Sequence, residues 1–134
     1  GNTKSMLAVW RDWNLNFILQ KAYESGIIMS GVSAGAICWF EKGITDSYAK
    51  RLEILNCLGF VKGIACPHFD EEKEREPYVN DLINRELISS CICIEGYSAL
   101  HINNQNSIRS INFGDNKKCF KLFRENNKIL KKIY

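Results

Sequence analysis

Gly26-Ile-Ile-Met-Ser-Gly-Val-Ser-Ala-Gly-Ala-Ile-Cys38 is the stretch of sequence that decides the fold class of this chain. Residues 27–29 are apolar and predict a short buried strand, and residues 34–40 predict a helix. Between them lies the pattern Gly-x-Ser-x-Gly, which is typical of a nucleophile elbow. Such an elbow is a sharp strand-to-helix turn that exposes a serine hydroxyl at the end of a sheet. Ser33 is therefore a candidate nucleophile.

The small residues around Ser33 have a steric role in that turn. A Cβ atom at Gly31 or Gly35 is expected to crowd the turn, because the backbones of the strand and the helix lie against each other there. The turn also places Ser33 at a helix N-terminus, where backbone N–H groups and the helix dipole favour negative charge. Half of an oxyanion hole is therefore expected to come with the turn.

Apolar runs separated by Gly, Pro and Asn predict the remaining elements. Two helices precede the elbow, and Thr3 and Asn14 are their candidate caps. The further predicted elements are a loop over 44–51, a strand over 64–66, a helix over 71–88 that is regular from near Glu76 because of Pro77, and a strand over 91–94. Strands over 99–102, 107–113 and 118–123 follow, joined by an Asn-rich turn and a Gly-Asp turn as an antiparallel meander.

This order of elements predicts one α/β domain over residues 1–134. We expect a largely parallel sheet flanked by helices, with the antiparallel meander at the C-terminal end. The sequence contains no stretch of 18 apolar residues and no signal peptide, so it predicts no membrane span.

The composition argues against several classes of partner. A net charge of +3 is too small to predict binding to nucleic acid, and the basic residues near the C-terminus are spread among apolar ones as on a solvated face. Six cysteines, several inside apolar runs, indicate reduced thiols and a cytoplasmic protein. Cys66, His68, Cys91 and Cys93 match no common zinc spacing, and strand alternation would direct Cys91 and Cys93 into a core. We predict no metal and no cofactor.

Polar side chains follow the carboxyl ends of the predicted strands. Ligands of α/β sheets bind at this edge of the sheet. His68 and Glu95 each come directly, or within two residues, after an apolar run, and Ser33 comes four residues after the run at 27–29. A serine hydroxyl needs a base, and His68 is the better candidate because its backbone follows a strand and a rigid proline. His101 alternates with apolar residues in a predicted strand and would point to the opposite face.

An acidic residue must orient the imidazole and stabilise its charged form. Glu95, at the end of the 91–94 strand, has the better position, and Asp46 is the alternative. Asp70 is next but one to His68, yet we expect it to cap the following helix.

Four segments together resemble one family. Gly31-Val-Ser-Ala-Gly-Ala36, Cys66-Pro-His-Phe-Asp70, Gly1-Asn2-Thr3 and Glu95-Gly96 resemble the motifs of the peptidase E family of serine peptidases, the α-aspartyl dipeptidases. Cyanophycinases are more distant relatives. The resemblance implies a Ser-His-Glu triad, on a fold related to class I glutamine amidotransferases. Ser33 would be the nucleophile, His68 the base and Glu95 the orienting acid, with Asp46 as the alternative acid.

The resemblance also implies a substrate and the residues that hold it. The oxyanion hole would combine the backbone N–H of Ala34 with one from a glycine loop to which Gly1 belongs. Substrates would be small peptides, including dipeptides with an N-terminal aspartate. Arg75 best matches the arginine that holds the aspartate side chain, since a guanidinium suits a carboxylate.

One departure from the family pattern stands out. Members begin with about half a doubly wound domain before a Gly-Gly-Asn-Thr loop, and this sequence starts within that loop, so we expect the C-terminal catalytic portion of such a domain. Without the first strands, residues 27–29 would be exposed and would favour self-association. A truncated or degenerate non-catalytic relative, acting as a binding or scaffold domain, is the alternative function. An esterase or amidase is a third, and a serine at the elbow argues against a glutamine amidotransferase.

Overall fold

The structure falls into two compact units. A computed structural model of the chain describes residues 1–49, 51–103 and 107–134. The first unit is Gly1–Lys62 and the second is Gly63–Tyr134. The helices are α1 (Thr3–Asp12), α2 (Leu15–Glu24), α3 (Ala34–Ile37) and α4 (Arg75–Asn84). The strands are β1 (Phe40–Tyr48), β2 (Arg51–Asn56), β3 (Val61–Cys66), β4 (Ser90–Ile94), β5 (Ser98–Asn103), β6 (Ser107–Asn112), β7 (Cys119–Glu125) and β8 (Lys128–Ile133). The predicted α/β class is confirmed.

The first two helices begin close to the predicted positions. The Asn2 side chain accepts a 2.8 Å hydrogen bond from the backbone N–H of Ser5, so Asn2 and not Thr3 caps α1. Thr3 is the first helical residue and is buried, with its hydroxyl 3.4 Å from that of Thr45 in β1. Asn14 holds the N-cap position of α2, although among the described residues its side chain makes no capping hydrogen bond.

The first unit contains a hairpin where a loop was predicted. β1 and β2 pair antiparallel, with Ile44 opposite Ile54, so the predicted loop over 44–51 is wrong except at its turn, where Lys50 lies outside the described residues. The predicted helix over 34–40 is also shorter, because α3 ends at Ile37 and β1 starts at Phe40. Gly43 lies inside β1, and a Cβ atom there would come 2.8 Å from Cδ1 of Ile37. The glycine therefore lets the end of α3 pack on the strand and does not end the helix.

The predicted strand over residues 27–29 is wrong. The segment has no regular secondary structure, and Ile27 and Ile28 are 59% and 90% exposed. Backbone N–H and C=O groups of a strand need a neighbouring strand, and within the described part of the first unit none pairs with this segment. Ile27 and Ile28 are therefore exposed and not part of a buried strand.

The second unit is built on one sheet and one separate hairpin. β3, β4, β7 and β8 are neighbours in that order. β3 and β4 are parallel, with Cys66 beside Cys93, whereas β4–β7 and β7–β8 are antiparallel. Of the pairs described within each unit only β3–β4 is parallel, so the prediction of a largely parallel sheet is wrong.

The predicted meander is right in its strands and wrong in part of its pairing. β5 and β6 pair antiparallel as a sheet of their own, with Leu100 opposite Ser110. β7 does not continue that sheet, because its partners are β4 and β8. The Asn-rich turn between β5 and β6 includes residues 104–106, which lie outside the described residues.

One helix covers the sheet of the second unit. α4 starts at Arg75, close to the predicted start near Glu76, and Pro77 falls in its first turn, where a proline is tolerated. Residues 71–74 and 85–88 lie outside it, so the predicted helix over 71–88 is too long at both ends. Val79 and Ile83 are buried, and α4 contacts β7 and β8. No helix among the described residues is both long and apolar enough to cross a membrane.

Candidate active site

Ser33 lies on a turn with the backbone geometry that the motif predicts. Its φ of 54° and ψ of −116° belong to a region that residues with a side chain rarely adopt. The turn is closed by hydrogen bonds from the N–H of Gly35 to the carbonyl of Val32 (2.9 Å) and from the N–H of Ile37 to the carbonyl of Ser33 (3.1 Å). Ser33 is half-buried and stands at the N-cap position of α3.

Gly31 is the residue that makes this turn sterically possible. A Cβ atom at Gly31 would lie 2.1 Å from the carbonyl oxygen of Gly35 and 2.4 Å from its carbonyl carbon. The predicted crowding is therefore confirmed at Gly31. It is wrong at Gly35, where an added Cβ would meet no described atom within 4 Å. Only Gly31 has to be a glycine for steric reasons, because the backbone of Gly35 occupies the space that a Cβ atom at Gly31 would need.

The two other predicted candidates for the triad follow neighbouring strands of the second unit. β3 ends at Cys66 and β4 at Ile94, and because the strands are parallel His68 and Glu95 follow at the same edge of the sheet. The N–H of Phe69 donates to the carbonyl of Ile94 (3.1 Å), which ties the two strand ends together. His68, like Ser33, has a positive φ (52°).

One partner of the His68 ring is a residue that the sequence did not indicate. Nδ1 of His68 lies 2.6 Å from Oε2 of Glu71, and the two side chains are 31% and 44% exposed. The helix predicted over 71–88 would have Glu71 as its first residue, where an acidic side chain suits the helix dipole. Because α4 begins only at Arg75, Glu71 instead lies in a turn that brings it back to His68. Its spacing of three residues from His68 was the signal available in the sequence.

Glu95 and Asp46, the predicted orienting acids, lie in different surroundings. Oε2 of Glu95 accepts a 2.8 Å hydrogen bond from the backbone N–H of Lys118, and the N–H of Glu95 donates to the carbonyl of Lys118 (3.3 Å). These bonds join the end of β4 to the segment before β7. Asp46 belongs to the first unit, where it is an exposed residue of β1. The role of either carboxylate as the orienting acid stays a prediction.

Asp70 holds the loop after β4 and does not cap a helix as predicted. Its Oδ1 accepts a 2.7 Å hydrogen bond from the N–H of Gly96, and its Oδ2 forms an ion pair with Lys117. Partial burial by itself would raise the pKa of Asp70. The hydrogen bonds from Lys117 and Gly96 outweigh it, so the pKa of Asp70 is lowered below its usual value.

Arg75, the predicted ligand of a substrate aspartate, already binds a carboxylate of this chain. It is 2% exposed, and its Nε and Nη2 lie 2.7 Å and 2.6 Å from Oε2 of Glu72. Its Nη1 lies 3.9 Å from the sulfur of Cys66. Burial raises the pKa of Cys66 to about 12, which outweighs the effect of the guanidinium and keeps the thiol protonated.

The proposed oxyanion-hole residues and the cysteines are the remaining positions that the sequence singled out. Gly1 is exposed and precedes the cap of α1, and Ala34 is the buried first residue of α3. Cys91 and Cys93 are buried, as predicted from their alternation, and all six cysteines are free thiols. Within the described ranges, no three or more His, Cys, Asp or Glu side chains form a group that could hold a metal ion.

The fold and the turn at Ser33 define an α/β protein with a nucleophile elbow. Comparison with known proteins gives the family. The chain matches the model of Peptidase family S51 over residues 1–110. It is 38% identical over 129 residues to "Uncharacterized peptidase YgaJ" of Bacillus subtilis (strain 168), an alignment that covers 96% of this chain and 56% of that protein. The chain belongs to peptidase family S51, and the predicted peptidase E relationship is confirmed. It spans about half the length of the curated relative it matches.

Proposed function

We propose that the protein containing this chain is a serine peptidase that hydrolyses small peptides through an acyl-enzyme. The observation that carries the proposal is the backbone of Ser33, with φ 54° and ψ −116° at the start of a helix, within the sequence of a family of peptidases. Such a backbone is costly for a residue with a side chain and is kept where the surrounding structure enforces it, most often at functional sites. The turn directs a hydroxyl group outward from the start of α3.

The proposed reaction has two steps that exchange protons through His68. The imidazole takes the proton of Ser33 Oγ as this oxygen attacks the scissile carbonyl carbon, and the tetrahedral intermediate collapses when the imidazole protonates the leaving amine. Water, deprotonated by the same imidazole, then hydrolyses the ester and returns the proton to Ser33. The carboxylate on Nδ1 of His68 supports this role, because it leaves Nε2 as the nitrogen that exchanges protons.

The negative oxygen of the intermediate needs hydrogen-bond donors. We propose the backbone N–H of Ala34 as one of them, since the first residues of a helix have no acceptor in a preceding turn. The loop that includes Gly1 is proposed as the second. Glu95, with Asp46 as the alternative, is the orienting acid that the family resemblance implies. The same resemblance supports a class I glutamine amidotransferase-like fold for the complete domain.

Dipeptides with an N-terminal aspartate are the proposed substrates, and Arg75 is the proposed ligand of their side chain. The support is that the guanidinium already holds a carboxylate through two nitrogens, so it has the geometry for one. A substrate aspartate would have to displace Glu72. The six free thiols, five of them buried, support a reducing compartment such as the cytoplasm.

The experiment is hydrolysis of a panel of Asp-X dipeptides, other dipeptides and simple esters by the full-length protein and two serine variants. Ser33→Ala is expected to lose at least about 10³-fold in kcat, because the reaction loses its nucleophile. Ser89→Ala, which changes an exposed serine of the second unit, is the matched control and should keep full activity. Unchanged turnover in Ser33→Ala would contradict the proposal, and hydrolysis of esters alone would indicate an esterase.

A non-catalytic binding or scaffold role is the second candidate, and one observation favours it. Ile27 and Ile28, just before the elbow, and Val32, within it, are 59%, 90% and 84% exposed. Apolar residues that are exposed together mark surfaces that associate with another chain or segment. An inactive full-length protein in which Ser33 resists a serine-directed phosphonate would favour this role.

A further inference from the structure

We propose that Asp70 is a positioning residue that holds Glu95, the orienting acid, in place beside the turn that carries His68. The inference rests on the proposed function, in which His68 is the base and Glu95 stabilises its charged form. Asp70 ends the segment Cys66-Pro-His-Phe-Asp70 that the sequence singled out, and the proposed reaction gives it no task. It acts through Glu95 and takes no part in the proton transfers.

The first support is that the backbone of Glu95 is tied on both sides to the two residues directly after the base. The N–H of Phe69 donates to the carbonyl of Ile94 (3.1 Å). Oδ1 of Asp70 accepts a 2.7 Å hydrogen bond from the N–H of Gly96. The first bond joins two backbone groups, whereas the second needs a side chain that accepts, so it depends on the identity of residue 70.

The second support is that Asp70 also holds the segment that binds the carboxylate of Glu95. Oδ2 of Asp70 forms an ion pair with Lys117. The next residue, Lys118, donates its N–H to Oε2 of Glu95 (2.8 Å) and accepts the N–H of Glu95 at its carbonyl (3.3 Å). Asp70, Gly96, Glu95, Lys118 and Lys117 therefore form a closed ring of contacts, in which Asp70 restrains both the backbone and the side chain of Glu95.

The third support is that these contacts suit a carboxylate at residue 70. Each oxygen of Asp70 has its own partner, and an amide would turn its NH₂ group toward the ammonium of Lys117 or the N–H of Gly96. Partial burial would raise the pKa of Asp70, but the hydrogen bonds from Lys117 and Gly96 lower it, so the group stays charged at neutral pH. Capping α4 does not explain the residue, because that helix begins only at Arg75.

The first test is a double-mutant cycle in peptide hydrolysis by the full-length protein. Asp70→Asn is expected to lower kcat about 10- to 10²-fold with little change in KM, because a misplaced orienting acid slows the chemical step. The Asp70→Asn, Glu95→Gln double variant should be no slower than Glu95→Gln, since no acid is left to position. Asp115→Asn, at an exposed aspartate in the turn before Lys117, is the matched control and should keep full activity.

Two kinetic results would overturn the proposal. One is full activity of Asp70→Asn. The other is a double variant in which the losses of the two single variants multiply, because a residue that acts only on the stability of the fold does not need Glu95 for its effect.

The second test follows the protonation of His68 by NMR in full-length protein labelled with ¹⁵N-histidine, whose His68 signals are identified by their loss in His68→Asn. Removing the charge of Lys117 has two opposite effects on this titration. Loss of a cation by itself favours the charged ring and moves the titration to higher pH, whereas displacement of Glu95 moves it to lower pH. Glu71, which contacts Nδ1 of the ring, is present in every variant.

Lys117→Met is therefore expected to move the titration of His68 to lower pH. In combination with Glu95→Gln the same change should move it to higher pH, because only the direct effect of the charge is left. Lys128→Met, at an exposed lysine of β8, is the control and should leave the titration unchanged. Movement to higher pH in Lys117→Met while Glu95 is present would overturn the proposal.

The two proposals can fail separately. If the protein hydrolyses no peptide, the proposed function fails, while the titration of His68 in Lys117→Met still decides whether Glu95 is held through this ring of contacts. If hydrolysis depends on Ser33 but the effect of Asp70→Asn does not depend on Glu95, only the assignment of Asp70 fails.

Discussion

At the scale of single residues, the backbone is strained at the two positions that the motifs single out. Ser33 and His68 both have positive φ, 54° and 52°, although neither is a glycine. Such conformations cost about 1–3 kcal/mol each and persist only where neighbouring contacts enforce them. Beside Ser33 an added Cβ at Gly31 would clash with Gly35, and the carbonyl of His68 accepts two backbone N–H groups. The strain therefore has an identifiable structural source at each residue.

Replacing Gly31 by alanine tests the source of the strain at Ser33. The new Cβ would lie 2.1 Å from a carbonyl oxygen of Gly35, so the turn has to open. Gly31→Ala is expected to destabilise the protein by about 1–3 kcal/mol in urea unfolding and to reduce peptide hydrolysis. Gly35→Ala is the control, because its Cβ meets no described atom within 4 Å and alanine suits a helix better than glycine. Equal losses in the two variants would contradict this explanation of the turn.

At the scale of elements, the sequence predicted the strands that a local pattern identifies. It failed where the formation of a strand depends on a neighbouring strand. β4, β5 and β6 were predicted within a residue or two, because short apolar or alternating runs bounded by turn residues identify them. The run at residues 27–29 is as apolar as β4, yet it forms no strand, because apolar character does not supply a neighbouring strand. β8 was missed because Lys128, Lys131 and Lys132 hide its alternation. Its pairing with β7 comes from the hairpin.

The same contrast holds for the candidate site. The sequence predicted the turn at Ser33 and placed His68 at a strand end, because Gly-x-Ser-x-Gly and Pro-His are local signals. It did not predict the contact of Glu71 with His68, because the acidic residues before Arg75 resemble the first turn of a helix. Pro77 marks the start of α4 in the sequence, but no local pattern shows that the turn before it brings Glu71 back to His68.

The contacts of Asp70 with Gly96 and Lys117 predict that the stability of the protein depends on pH. The folded-state pKa of Asp70 is lowered, so Asp70 contributes stability above its unfolded pKa, about 3.9, and this contribution is lost as the pH falls through the lower folded value. Asp70→Asn is expected to flatten the loss of unfolding free energy between pH ~4 and ~2. Asp115→Asn, at an exposed aspartate, should leave the slope unchanged. Parallel pH profiles for the parent and Asp70→Asn would refute the assigned role of Asp70.

At the scale of the whole molecule, the first unit exposes several large apolar side chains. Trp13, Phe17 and Ile18 are 77%, 58% and 63% exposed, in addition to the residues around the elbow. Exposed apolar residues in such number favour association. The alignment to the relative covers 96% of this chain and 56% of that protein.

Association of the 134-residue chain should therefore depend on the residues beside the elbow. Light scattering after size exclusion is expected to find dimers or larger species, with Ile28→Ser shifting the distribution toward the monomer because Ile28 is 90% exposed. Phe113→Ser, which replaces an apolar residue of the second unit that is 72% exposed, is the control and should have a smaller effect. A chain that is monomeric at all concentrations would contradict the expectation.

The most direct test of the central claim, that Ser33 is a nucleophile, is mass spectrometry of the full-length protein after reaction with a fluorophosphonate. We predict one covalent adduct that maps to Ser33, that is absent in Ser33→Ala, and that forms at a much lower rate in His68→Asn because the base is missing. Two results would contradict the claim. One is a folded protein that forms no adduct, and the other is an adduct on a different serine that forms at the same rate in the parent protein and in Ser33→Ala.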